Sequence, residues 1–183
     1  MVSTYGYVIT GGPGSGKTSL IDALAKEGYT IFEEVSRRLI REQQQLPDGV
    51  LPWHNLDRFA TLALDAMQQQ YVQAHIHQQP VFFDRAIPDI AGYLKCAGLS
   101  VGETLATALK ESIYASPVFI CPPWEEIYVN DPERPQTYQE AVHLHSEIQA
   151  AYLNAGYTVI EVPQLTVRER VQFIISQISL RVH

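Results

Sequence analysis

Apolar residues along the chain follow two rhythms. Five short, nearly unbroken runs are rich in β-branched and aromatic side chains. They are YGYVIT at 5–10, YTIF at 29–32, VFFD at 81–84, PVFIC at 117–121 and YTVIEV at 157–162. Such runs predict buried strands. Between them, apolar residues recur every three or four positions, the spacing of an amphipathic helix. Leu20, Ile21, Leu24 and Ala25 line one face of a helix over 17–27, which Gly28 ends. Val35, Leu39 and Ile40 face inward on a helix over 33–44, and a long helix runs over about 55–77. Two shorter helices are predicted at 87–97 and 101–113, the second with Ser100 and Glu103 as a capping box. Thr137 with Glu140, and Thr166 with Glu169, open helices that run to about 155 and 179. Residues 46–50 form a turn-rich loop, and 122–135 are Pro-rich and irregular.

Strand and helix therefore alternate five times. Strands apolar on both sides need cover on both sides, so the pattern predicts an α/β fold with a five-stranded parallel sheet between helices. The 183 residues fit one domain over 1–183, with no repeat and no linker. A chain of this mass buries about 70% of its surface, enough for a core without staples. The short glutamine runs lie on or beside helices and read as solvated faces.

Charge narrows the partners. Net charge is −7 and the pI about 5.3. Duplex binding rests on Lys and Arg neutralising phosphates, so no nucleic-acid partner is expected. A local pocket on an acidic protein can still be positive and take a small anion. Cys96 and Cys121 form neither a disulfide framework nor a metal spacing. No stretch reads as a leader or a membrane span. The reading is a cytoplasmic protein with no membrane partner.

The sharpest motif follows the first strand. Gly11, Gly12, Pro13, Gly14, Ser15, Gly16, Lys17 and Thr18 match GxxxxGK(S/T) in full, with Ser19 next. A strand precedes the motif and a helix follows, the context a phosphate loop requires. Glycines let the backbone curl into a nest of N–H groups, and the helix N-terminus adds positive dipole. Lys17 reaches the β/γ-phosphates of a nucleotide and the Thr18 hydroxyl is a Mg²⁺ ligand.

A second acid is needed. Asp84 ends an apolar strand at the C-terminal edge of the sheet, where ligands bind in open α/β folds. It is a candidate Mg²⁺ ligand, directly or through water, or the acceptor of a proton from the substrate. Arg85 follows and can fork onto a phosphate or carboxylate, or sit in a surface pair. Asp89 lies one helical turn further on. Arg134 is the one Lys or Arg between Lys110 and Arg168, in a segment (about 122–136) suited to a short lid over the transferring phosphoryl group. Glu34, Arg37 and Arg38 follow the second strand and either line the acceptor site or form a solvated helix face with Glu34 pairing to Arg37 and Arg38. His75 with His77, and His143 with His145, are two apart on helices and cannot share a metal. Trp53 and Trp124 read as packing residues, and Pro163 and Gln164 follow the last strand.

The phosphate loop, the Glu34–Arg37 segment, Phe83-Asp84-Arg85, the stretch PPWEEIYVND at 122–131 and Glu133-Arg134 together resemble the small AAA-type predicted ATPases. That family is grouped with the ribosylnicotinamide kinase domain of bacterial NAD regulators. The resemblance covers nearly the whole chain and implies a P-loop NTPase core, kinase-like, that binds ATP. No apolar strand ends in Asp-Glu and there is no helical lid domain, which argues against ring-forming AAA machinery. Without an NKxD motif a GTPase is disfavoured. Two functions follow. One is a Mg-ATP phosphotransferase acting on a small metabolite hydroxyl, a nucleoside among the candidates. The other is a nucleotide-dependent switch or slow ATPase that regulates a partner.

Overall fold

The computed structural model describes residues 6–128 and 137–179. Its centre is a five-stranded parallel sheet of β1 (Gly6–Gly11), β2 (Thr30–Phe32), β3 (Val81–Asp84), β4 (Val118–Cys121) and β5 (Val159–Glu161), in spatial order β2-β3-β1-β4-β5. Every residue of β1, β3 and β4 is buried, so these strands carry no polar-outward alternation. Period-two alternation instead sorts them between two cores. Val8, Val81, Phe83, Val118 and Ile120 point to one face, and Tyr7, Ile9, Phe82, Phe119 and Cys121 to the other.

Seven α-helices are found among the described residues. α1 (Lys17–Lys26) and α7 (Val167–Ser179) cover the second face. α2 (Val35–Gln44), α3 (Leu56–Ala74), α4 (Ile87–Cys96), α5 (Glu103–Glu111) and α6 (Tyr138–Asn154) cover the first. Seven of the ten residues of α4 are buried, Asp89 among them, and Lys95 is exposed. The helix meets α6 closely at Gly92, where a Cβ would stand 2.8 Å from the Ile148 Cα, so only glycine fits without backbone movement.

Two local readings need correction. Ala25 is exposed, and α1 buries Leu20, Ile21 and Leu24 without it, because the helix rests on a narrow stripe. The Ser100 and Glu103 capping box does not form. α5 begins at Glu103 itself, after Gly102, with no side-chain cap, so the glutamate sits at the first helical position and cannot reach back. Of the two readings open for Glu34, the solvated face is not the one found: its side chain turns inward, while Arg38 pairs with Glu42 at 3.0 Å on the exposed side of α2. The boxes at Thr137 with Glu140 and at Thr166 with Glu169 are both present. No helix among the described residues is long and apolar enough to cross a membrane.

Candidate active site

β1 lies between β3 and β4, so the chain leaving it emerges where the sheet order reverses. Crevices form at such points in open α/β sheets. The loop from Gly11 to Gly16 curls there, with Gly14 and Gly16 at φ +70° and +69°. Ser15 closes the curl by donating its hydroxyl to the Gly12 carbonyl at 2.8 Å. α1 then starts at Lys17, after Gly16, which as N-cap offers no side-chain bond. Its first N–H groups are left for an external acceptor, which makes the helix start an anion site. Gly12, Pro13 and Ser15 are buried, Gly14 and Gly16 half-buried, and Thr18 and Ser19 exposed at the start of α1.

Parallel pairing sets the second acid beside this loop. Ile9 is in register with Asp84, and the Arg85 N–H continues the ladder to the Ile9 carbonyl at 3.0 Å. Asp84 thereby faces Lys17, and the two form a buried ion pair. Glu34, at the entry of α2, accepts from Lys17 at 3.4 Å and from Arg85 Nε at 3.3 Å. Four charged groups from three loops thus meet in one buried cluster. Burial pushes the Asp84 carboxyl above the usual range against the pull of Lys17. For Arg85, burial opposes the charged form, but Tyr93, Glu34 and Asp89 outweigh it and hold the guanidinium well above its ordinary value.

Asp89 is the hub beneath that cluster. It accepts from Thr10 Oγ1 at 2.5 Å, Arg85 Nη1 at 3.1 Å, the Ala86 N–H at 3.0 Å and the Tyr152 hydroxyl at 2.5 Å. These bonds hold Arg85 at φ 70°, a backbone conformation costly for any residue with a Cβ. Burial and the adjacent Asp89 charge push the Tyr152 phenol well up, so it stays a donor.

The structure thus gathers Lys17, Asp84, Glu34 and Arg85. It leaves Arg38 at the surface and Arg37 half-buried on α2. Arg134 and most of the expected lid lie outside the described residues; the described part, up to Tyr128, holds one 3-10 turn at Glu125–Ile127. The Tyr128 ring stands over Gly14, and a Cβ there would overlap it.

One residue in contact with the phosphate loop escaped the sequence reading. Arg170 of α7 is 2% exposed, and its guanidinium reaches under the phosphate loop. The signal was periodic: Arg170 shares the buried stripe of Ile174 and Ile178, a place where an arginine needs a reason.

A comparison with curated proteins finds no match. Among solved structures, the chain is similar to a deoxyadenosine kinase from M. mycoides with bound dATP. That match has a TM-score of 0.64 at 15% identity over 95% of this chain and 99% of the other. It is similar to a shikimate kinase from Acinetobacter baumannii in complex with shikimate (TM-score 0.64, 16% identity, 100% of this chain and 97% of that one). A NadR protein in complex with NAD and AMP-PNP matches with a TM-score of 0.61 at 19% identity, over 94% of this chain but 48% of its own. At these identities the likeness speaks for the fold, which is that of P-loop kinases. A family model described as an AAA domain matches residues 6–170, and the chain, with its complete phosphate loop, belongs to that family.

Proposed function

We propose that the protein is an ATP-dependent phosphotransferase that moves the γ-phosphoryl group to a hydroxyl of a small metabolite. The observation that carries this reading is the buried cluster of Lys17, Asp84, Glu34 and Arg85 beside the uncapped start of α1. A phosphate nest needs only backbone N–H groups and a lysine. Two carboxylates and an arginine at its edge are more than holding a nucleotide requires.

The roles divide by position. Gly12, Pro13, Gly14, Ser15, Gly16, Lys17, Thr18 and Ser19 form the nucleotide loop, with N–H groups aimed at the polyphosphate. Lys17, now bound to two acids, transfers its contact to the incoming phosphates. Asp84 and the Thr18 hydroxyl are hard oxygen donors beside that loop. They fit Mg²⁺, which is held by one or two carboxylate or hydroxyl oxygens together with substrate phosphates. When bound, the metal neutralises charge on the β- and γ-phosphate oxygens. Glu34 and Arg85 face the acceptor: the carboxylate accepts the hydroxyl proton or orients the hydroxyl, and the guanidinium stabilises its oxygen or charge. Gln164, on the loop after β5, donates to the Pro123 carbonyl at 2.8 Å and ties that loop to the one bearing Trp124, where the nucleotide base would rest. Arg134 is assigned the lid role from its place in the sequence alone.

The test is a metabolite panel assayed for ADP release with Mg-ATP, with controls lacking acceptor. An acceptor-dependent rate supports transfer. Hydrolysis at one rate with every acceptor and with none would overturn it in favour of a slow ATPase or switch.

A further inference from the structure

Two cations are buried against the phosphate loop, and they differ in what balances them. Lys17 is paired with Asp84 and Glu34. Arg170 is equally buried, yet among the described residues no carboxylate forms an ion pair with it. Its partners are neutral. Nη1 donates to the Gly16 carbonyl at 3.0 Å, and Nη2 donates to the Ser15 carbonyl at 3.2 Å and to Cys121 Sγ at 3.2 Å. Nε is buried without a partner. The guanidinium carbon lies 5.9 Å from the centre of the Trp124 ring. A Cβ on Gly16 would stand 2.9 Å from Nη1, and the φ of +69° there favours glycine in its own right.

A buried cation without a counter-charge is unfavourable, and carbonyl dipoles offset only part of that cost. Among the described residues no side-chain anion supplies that balance. The geometry also says which way an anion would lie. A trans peptide unit is planar, with its C=O and N–H pointing in opposite directions. When Arg170 draws the Ser15 and Gly16 carbonyls toward itself, the N–H groups of Gly16 and Lys17 are turned away from it, into the mouth of the loop.

We propose that Arg170 is a positioning residue of the phosphate site. It orients those two N–H groups, and its charge, screened by one layer of backbone, is balanced by the polyphosphate of a bound nucleoside di- or triphosphate. The proposal rests on the nucleotide-binding reading above and extends it to a helix 155 positions away in sequence.

The experiment titrates the full-length protein calorimetrically with inorganic tripolyphosphate and with Mg-ATP, alongside thermal melts without ligand. Wild type is compared with Arg170→Gln, which removes the charge, and Arg170→Lys, which keeps it and loses the fork. The expected result is a loss of about tenfold or more in affinity for both ligands in Arg170→Gln, with partial recovery in Arg170→Lys. A residue that merely anchored α7 would lower the melting temperature and leave the affinity of the folded protein unchanged; that outcome overturns the proposal. If Arg170→Gln does not fold, Arg170→Lys decides alone, and tripolyphosphate affinity equal to wild type overturns it. Wild type that binds neither ligand overturns the nucleotide reading itself, and this proposal with it.

Discussion

Lys17 and Asp84 form an ion pair in which the lysine side chain is 3% exposed and the carboxylate 10%. The lysine of the phosphate loop is thus part of the core's charge balance before any nucleotide arrives. Lys17→Ala is therefore expected to act twice. Breaking a buried pair costs about 3–5 kcal/mol, because Asp84 loses its ion-pair partner while Glu34 keeps Arg85. Thermal stabilisation by Mg-ATP, about 2.7 kcal/mol at 100 times the Kd, should also vanish. Melting curves with and without Mg-ATP separate the two effects. An unchanged ligand shift would remove Lys17 from the nucleotide site.

Asp84→Asn keeps the shape of the carboxylate and removes its charge. Lys17 retains Glu34 as a partner at 3.4 Å, so the fold and the loop should persist. Nucleotide affinity should change only a few-fold. Transfer to an acceptor should fall by about 10²-fold or more, the size of a positioning effect, since the carboxylate that would place the metal and the transferring group is lost. Calorimetric ATP titration with and without Mg²⁺, paired with the acceptor assay, measures both. A large Mg²⁺-dependent loss of affinity with no acceptor found for wild type would favour the switch.

Asp89 takes four hydrogen bonds from Thr10, Arg85, Ala86 and Tyr152, so its loss should be felt across the sheet edge. Asp89→Ala is expected to destabilise by about 3–5 kcal/mol, since Arg85 loses a buried partner. Tyr152→Phe removes one bond to a charged acceptor and should cost less, about 1.5–3 kcal/mol. Urea unfolding of both variants tests the order. Equal costs would mean that Arg85 is held by Glu34 alone.

Gly14 combines a left-handed backbone with the Tyr128 ring above it. Gly14→Ala should cost about 1–2 kcal/mol for the conformation, and more for the overlap. Adding Tyr128→Ala should relieve the overlap and not the backbone strain. In a double-mutant cycle read by tripolyphosphate binding and by melting, purely additive effects would show that the ring does not bear on the loop.

The sheet was legible because strands buried on both faces appear as apolar runs, as in Val118–Cys121 and Val81–Asp84. The phosphate loop was legible because its chemistry is contiguous. What escaped were roles assigned by distant packing. Nothing near Glu34 in sequence says that it faces Lys17 and Arg85 rather than the arginines on its own helix. Asp89 looked like the acid of a helix start, which it is, yet its weight comes from Thr10 and Tyr152 on other elements. The capping box at Ser100 failed for a local reason: the helix begins two residues later than the motif requires. Arg170 is the instructive case, since helical periodicity placed it on a buried stripe and its charge made that placement informative.

His145 supplies the pH dependence. It lies on the inner side of α6, 8% exposed, with Nδ1 buried and without a partner among the described residues. Burial holds its pKa below the ordinary 6.5, against smaller upward pulls from the Glu161 charge and from a bond to the Cys121 backbone. The sign follows from linkage. An imidazole depressed in the folded state must gain a proton more readily in the unfolded chain. It therefore favours folding fully above its unfolded pKa, and that contribution is lost as pH falls from about 6.5 through the lower folded value. Wild type should lose stability between pH 7 and pH 5. His145→Gln, which carries no charge at any pH, should lack that part of the slope while retaining whatever the carboxylates contribute. Urea midpoints at pH 7.5, 6.5 and 5.5 for both proteins measure the difference. Parallel curves would show that His145 is not held neutral by its burial.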